Sequence, residues 1–257
     1  MKITGKENKQ WSRLGSRATY GQAILMLAEK LHNLMVLSAD LGNSSGLDRF
    51  KATYPDKFLN IGIAEQNMIG VAAGLAKEGS VVFASSFAPF ITMRAAEQVR
   101  MNMGYMDLNI KTVAIGSGVS MSFLGNSHFG LEDAAIMRSI PNMTVVSPAD
   151  CAEIVKTVFA AAVYPHPMYI RLTGAVGFPV VYEDDYDFHA FIFSDNSGFE
   201  VYRKDIDKNE LKVLLSNESE DHFSVCREFT SVVKPTKWIL WPHSESKGWL
   251  DKMENKI

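Results

Sequence analysis

The sequence predicts an α/β fold, a doubly wound and mostly parallel sheet with helices on both faces, followed by a short atypical C-terminal tail. Three observations carry this expectation. Short apolar runs alternate with segments of helical periodicity from about residue 18 to residue 174, the pattern of strands joined by crossover helices. Most of the apolar runs end in an acidic residue or a glycine-bearing loop, as parallel strands do where they deliver side chains to their carboxyl ends. At 257 residues, the chain is long enough for one large domain and a small appendage.

From Ala18 to Leu34, the residues Ala23, Ile24, Leu27, Ala28, Leu31 and Leu34 recur at helical spacing, and Thr19 is read as the N-cap. MVLSAD (35–40) reads as a buried strand that carries Asp40 to its carboxyl end. FLNIG (58–62) is a second strand, and a helix starts near Ala64 and runs through NMIGVAAGLAKEG. Gly70, Ala72, Ala73 and Gly74 dominate that helix. Glycine weakens a helix interior, so close approach of another backbone is expected there. SVVFAS (80–85) is the next strand, followed by a helix over roughly 89–104, and KTVAIGSG (111–118) is a strand with a glycine-rich exit. A helix over about 131–139 precedes the strand TVVSPAD, the helix AEIVKTVFAAAV and the strand PMYIRLTG (167–174).

After about Phe188 the pattern changes. FHAFIFS and FEVYRK alternate, NELKVLLS suits a short helix, TKWILWP is another apolar run, and glycine nearly vanishes. The organisation expected is a main domain over 14–188 and a short divergent or truncated segment over 189–257.

A formal charge of −3 and a pI near 6.1 give no reason to expect a nucleic-acid or membrane partner. The N-terminal segment MKITGKENKQWSRLG is polar, and no apolar stretch is long enough to cross a bilayer. Cys151 and Cys226 show neither CxxC nor metal-ligand spacing, so neither a disulfide framework nor a metal site is expected, which fits a reducing cytoplasm.

Glu65 stands at the start of a helix, directly after a strand and among apolar neighbours. An isolated glutamate there would favour the helix dipole by roughly 0.3–1 kcal/mol and do nothing more. Its surroundings point further. GIAEQNMIGVAAGLA closely resembles the glutamate-bearing motif of transketolase and deoxyxylulose-phosphate synthase. LSADLGNSS, PDKFLNIGIAEQN, FASSFAPF, RSIPNMTVVSPAD and YIRL match transketolase-family segments in order. The resemblance spans about 14–188 and is strongest to separately encoded transketolase C-terminal subunits, within the thiamine-diphosphate enzymes.

That resemblance implies a pyrimidine-binding domain and several residue roles. Glu65 matches the carboxylate that hydrogen-bonds N1′ of the cofactor's aminopyrimidine and so activates it. Phe87 and Phe90 match the aromatic pair packed on that ring. Asp40 matches an acidic residue near the thiazole, although an Asx turn would account for it equally well. His128, in GNSHFGLED, aligns with the family's active-site histidine, which acts on sugar oxygens. The implied function is transfer of a two-carbon ketol unit between sugars. The alternatives are a deoxyxylulose-phosphate-synthase-like acyl transfer, or a non-catalytic remnant or regulatory partner of a thiamine enzyme.

Several departures qualify the match. Leu124 stands where the common form has an aspartate that reads a substrate hydroxyl. Gly174 stands where many members have an arginine for the sugar phosphate, and the neighbouring Arg171 is expected to point to the other face of its strand. No Gly-Asp-Gly occurs anywhere, so Mg²⁺ and the diphosphate are expected on a partner N-terminal subunit in a dimer of heterodimers. The tail does not resemble the family's full C-terminal domain.

Overall fold

The computed structural model describes residues 3–173, 177–178, 180–181, and two short strands at 192–194 and 198–200. Six strands run parallel: β1 (Leu34–Ser38), β2 (Phe58–Asn60), β3 (Val81–Phe87), β4 (Ile110–Ile115), β5 (Thr144–Val146) and β6 (Met168–Arg171). Their order is β2-β1-β3-β4-β6-β5, with β7 (Ile192–Ser194) and β8 (Gly198–Glu200) added antiparallel at the β5 edge. The doubly wound sheet expected from the sequence is therefore present. The order in which strands are added reverses between β1 and β3, with β2 on one side of β1 and β3 on the other, the position where such sheets open a crevice at their carboxyl ends.

Consecutive strand residues alternate between two buried layers, which is why the runs are apolar throughout rather than every second residue. Leu34, Val36, Phe83 and Val113 pack on one layer, and Leu37, Val82, Ala84 and Ala114 on the other. The first layer is covered by α1 (Gly5–Leu14), α2 (Ser16–Ala28) and α7 (Cys151–Val163). The second is covered by α4 (Glu65–Lys77), a helical segment over 90–105, and α6 (Asp133–Arg138). A short helix, α3 (Asp48–Thr53), closes the β1–β2 connection.

Helix starts show where local sequence signals were missed or misplaced. The Thr4 hydroxyl accepts from the Glu7 N–H, and the Glu7 carboxylate accepts from the Thr4 N–H at 2.8 Å, a capping box that starts α1. Thr19 is not the N-cap of the next helix. Gly15 holds that place at φ 86°, and the Thr19 hydroxyl donates back to the Gly15 carbonyl at 2.8 Å from inside α2. α7 begins at Asp150, whose carboxylate accepts from the Glu153 N–H at 2.9 Å and from Asn8 Nδ2 at 3.0 Å. That second bond ties α1 to α7. The segment over 90–105 is wound mostly as π-helix, at Phe90–Arg94 and Val99–Tyr105 on either side of α5 (Ala96–Gln98). π-Turns of this kind gather at functional sites.

Close backbone approach occurs away from the helix where it was expected. A Cβ at Gly70 or Gly74 would meet nothing within 4 Å, whereas one at Gly21 would stand 1.9 Å from the Gly46 carbonyl oxygen. α2 and the loop after β1 therefore touch backbone to backbone.

Two buried titratable groups serve the fold. Lys111 Nζ donates to the carbonyls of Tyr164 (2.7 Å) and His166 at the end of α7, and burial lowers its pKa well below the usual lysine range. Cys151 is buried at the first turn of α7, and burial pushes its thiol from the ordinary 9.0 up to about 11. An unfolded thiol ionises near its ordinary value and the folded one only near 11. The stability this group contributes is therefore complete below the ordinary value and is lost as pH rises through the folded one. In a Cys226→Ser variant, Cys151 is expected to react with a disulfide reagent about a hundredfold more slowly than a free thiol. Stopped-flow absorbance checks this; reaction at the free-thiol rate would contradict the burial argument.

Among the described residues, no helix is long and apolar enough to cross a membrane. The divergent segment expected over 189–257 lies, apart from β7 and β8, outside the described residues.

Candidate active site

β2 ends at Asn60, a short loop follows, and α4 starts at Glu65 itself with Ala64 as its N-cap. Glu65 is 1% exposed. A buried carboxylate needs hydrogen-bond partners or a counter-charge, and both come from the next crossover. Ser86, near the end of β3, donates to Glu65 Oε1 at 2.9 Å, and Arg94 Nη1 donates to Oε2 at 2.7 Å. The guanidinium of Arg94 also lies over the Phe90 ring, 4.2 Å from its centroid. These contacts fix the plane of the carboxylate and leave its remaining lone pairs for a third donor.

Phe87 ends β3 and Phe90 opens the first π-turn. Their rings meet edge-on, 6.0 Å apart, and both meet the His128 ring edge-on, at 5.3 and 5.2 Å. Phe87 is buried and Phe90 is half-buried, which leaves part of the Phe90 ring accessible. His128 comes from the lobe after β4, closes a 3₁₀ turn over Asn126–His128, and has the Ser127 hydroxyl 3.0 Å from Nδ1.

Asp40 follows β1 and is exposed, at φ 59°. Asn60 Nδ2 donates to Asp40 Oδ1 at 2.8 Å, and the Asp40 N–H donates to Asn60 Oδ1 at 3.0 Å. Asn60 Oδ1 also accepts from the Gly62 N–H at 3.1 Å, so one side chain ties the loops after β1 and β2 together. The Asp40 carboxylate binds Asn60 from the neighbouring strand rather than closing a local Asx turn.

Asp40, Glu65, Phe87, Phe90 and His128 thus stand at or after the carboxyl ends of β1, β2, β3 and β4. The structure joins Phe87, Phe90 and His128 directly and links Glu65 to Phe90 through Arg94, while Asp40 forms a separate pair with Asn60. Ser86, Arg94 and Asn60 escaped sequence reasoning. A signal for Arg94 existed, since it falls four residues after Phe90 on a helical segment.

Leu124 is 41% exposed at the end of a 3₁₀ turn, and Gly174 lies outside the described residues. Arg171 turns to Asp133, with Nε donating to Oδ2 at 2.8 Å. Among the described residues, no group of three or more His, Cys, Asp and Glu is placed to hold a metal ion. The donor set suits an aromatic heterocycle with a ring N–H, namely a buried carboxylate beside an accessible aromatic ring. It does not suit a diphosphate–metal cluster.

Comparison with known proteins decides the family. The model of the transketolase pyrimidine-binding domain matches residues 13–175. The chain belongs to the transketolase pyrimidine-binding family. A putative transketolase C-terminal section of Methanocaldococcus jannaschii is 38% identical over 206 residues, covering 79% of this chain and 62% of that protein. A 6-deoxy-6-sulfo-D-fructose transketolase subunit of Clostridium sp. strain MSTE9 is 39% identical over 156 residues, covering 61% of this chain and 48% of that protein. Among solved structures, a split-gene transketolase described as an inactive β4 tetramer superposes with a TM-score of 0.59 at 42% identity, covering 65% of this chain and 53% of that one. The chain spans about half to two thirds of the length of these relatives.

Proposed function

We propose that this chain is the pyrimidine-binding subunit of a split, thiamine-diphosphate-dependent transketolase that transfers a two-carbon ketol unit between sugars. The observation that carries the reading is Glu65, a buried carboxylate held in plane by Ser86 and Arg94 beside the Phe87–Phe90–His128 cluster.

Bound thiamine diphosphate supplies a nucleophilic carbon whose formation depends on a carboxylate hydrogen bond to the aminopyrimidine. Glu65 is the acceptor for that bond. Its burial excludes competing water, and its two fixed donors prevent the carboxylate from rotating away. Phe90 offers its accessible ring to the aminopyrimidine, and Phe87 backs it. His128, at the same cluster, donates to or orients sugar oxygens near neutral pH. Asp40, held by Asn60, would be the acidic residue near the thiazole.

The diphosphate half of the site belongs to a second chain. The sequence contains no Gly-Asp-Gly, and we assign Mg²⁺ and the diphosphate to an N-terminal partner subunit in a dimer of heterodimers. The pyrimidine-binding domain occupies 14–188, and 189–257 is a divergent segment. The small number of cysteines suits a cytoplasmic enzyme of carbohydrate metabolism. Leu124 and Gly174 in place of the family's aspartate and arginine point to a sugar other than a standard pentose phosphate. The sulfo-sugar named for the Clostridium relative agrees with such divergence.

The test is expression alone and with a Gly-Asp-Gly-bearing partner, followed by calorimetric titration of thiamine diphosphate and Mg²⁺. The lone chain is expected to bind weakly and transfer nothing, and the complex to bind tightly and to show no strong preference for xylulose 5-phosphate. Transferase activity in the pure single chain would overturn the split-site reading.

A further inference from the structure

The lobe that carries His128 is mostly solvent-exposed, yet its histidine meets two aromatic rings at defined distances. Residues 122–127 are all exposed, and Met121 is the one buried hydrophobic residue between the ends of the lobe. Its ends are closed by a single antiparallel bridge, where the Gly118 N–H donates to the Gly130 carbonyl at 2.8 Å and the Gly130 N–H returns to Gly118 at 2.9 Å. Two glycines alone are a soft hinge. A further group holds the bridge: Arg171 Nη2 donates to the same Gly130 carbonyl at 3.2 Å.

Arg171 is itself immobilised from beneath. Its Nε donates at 2.8 Å to Oδ2 of Asp133, which is fully buried, and the buried Tyr169 hydroxyl donates to the same oxygen at 2.7 Å. Burial, then the Asp133 charge, raises the Tyr169 pKa well above its ordinary value, so the phenol stays a donor. A fully buried carboxylate is costly without a counter-charge. The Arg171–Asp133 pair is therefore part of the folded chain before any substrate arrives. The planar guanidinium presents Nε and Nη2 in a fixed fork, which lets one side chain reach a carboxylate and a carbonyl together.

We infer that Arg171, seated on Asp133 and Tyr169, is a positioning residue that clamps Gly130 and so holds His128 against Phe87 and Phe90. The inference rests on the proposed role of His128 at the substrate. It also explains why Arg171 does not replace the missing phosphate arginine: its Nε and Nη2 are already turned to Asp133 and Gly130. A lysine at this position would keep the ion pair to Asp133 but has no second donor in the fork geometry, so Arg171→Lys separates the clamp from the buried charge.

The experiment uses the complex with the partner subunit, comparing wild type, Arg171→Lys, Arg171→Met and His128→Ala. The readouts are calorimetric affinity for thiamine diphosphate, kcat and KM for a ketose donor, and the ¹⁵N-resolved ring signals of His128. For Arg171→Lys, cofactor affinity is expected to stay within about twofold of wild type. Its donor kcat/KM is expected to fall at least about tenfold, and its His128 ring signals to shift or broaden. Arg171→Met is expected to lose thermal stability as well. Wild-type kinetics and wild-type His128 signals in Arg171→Lys would overturn the inference alone. Loss of cofactor affinity in Arg171→Lys matching its loss of kcat/KM would also overturn it, because the residue would then act on the whole domain. Full activity of His128→Ala would overturn the role of His128 and the inference with it.

Discussion

Glu65→Gln in the assembled enzyme is expected to lower kcat by about 10²–10⁴-fold, the range for loss of a positioned acid–base group, while leaving the protein folded. The substitution is nearly isosteric, and its oxygen can still accept from Ser86 Oγ, now 2.9 Å from Oε1. What changes is the other atom: an amide nitrogen replaces Oε2, the atom that accepts from Arg94 at 2.7 Å. The Arg94 guanidinium then faces an N–H₂ group and loses its charge partner, while keeping the Phe90 ring beneath it. Because the Arg94 side chain is 44% exposed, it can turn to water, so the stability cost stays near the 1 kcal/mol of an ordinary surface pair. Catalysis has no such escape, since a neutral amide is a poor acceptor for the ring N–H. Single-turnover kinetics with a ketose donor, alongside thermal unfolding, separate the two effects. Equal turnover by wild type and Glu65→Gln would remove Glu65 from the mechanism. A collapse in melting temperature would show that the Arg94 pair supports the fold itself.

What the sequence made legible follows from the range of the forces involved. Each parallel strand is an apolar run because both faces of the sheet are covered, so Val81–Phe87 and Ile110–Ile115 stand out without any partner information. Glu65 stood out because a carboxylate between a strand and an apolar helix is rare and sits in an extended motif. Contacts between distant segments left no such mark. Arg94 and Ser86 reach Glu65 across 29 and 21 residues, and Arg171 reaches Asp133 across 38, separations over which no periodicity carries information. Thr19 was misread for a local reason. A threonine near a helix start has two hydrogen-bonding outlets, to the N–H groups ahead or to the carbonyl behind, and the Gly15 turn at φ 86° selects the second. Asp40 had no local Asx partner to reveal and was decided by Asn60, twenty residues on.

Glycine was the least legible residue, and it supports the prediction with the largest effect on stability. Composition pointed to Gly70 and Gly74 as sites of close backbone approach, yet both face open space within the chain. The approach is at Gly21, where a Cβ would lie 1.9 Å from the Gly46 oxygen and 2.8 Å from its carbonyl carbon. Gly46 cannot yield easily, because it sits at φ 75° and a Cβ of its own would lie 2.3 Å from the Arg17 oxygen. The obstruction is backbone on both sides, so no side-chain rotamer relieves it. Gly21→Ala is therefore expected to cost about 3 kcal/mol and to lower the melting temperature by roughly 6–12 °C. The displaced loop is the one that follows Asp40, so the complex is expected to lose thiamine diphosphate affinity as well. Gly70→Ala is the matched control. With nothing within 4 Å, the added methyl should stabilise the purified chain by about 0.5–1 kcal/mol through helix propensity alone. Denaturant melts of the two variants check both signs. If Gly21→Ala proved neutral, α2 and the 41–46 loop could not be in close backbone contact. If Gly70→Ala stabilised the free chain but weakened assembly with the partner, the open face of α4 would be a surface that the second chain covers.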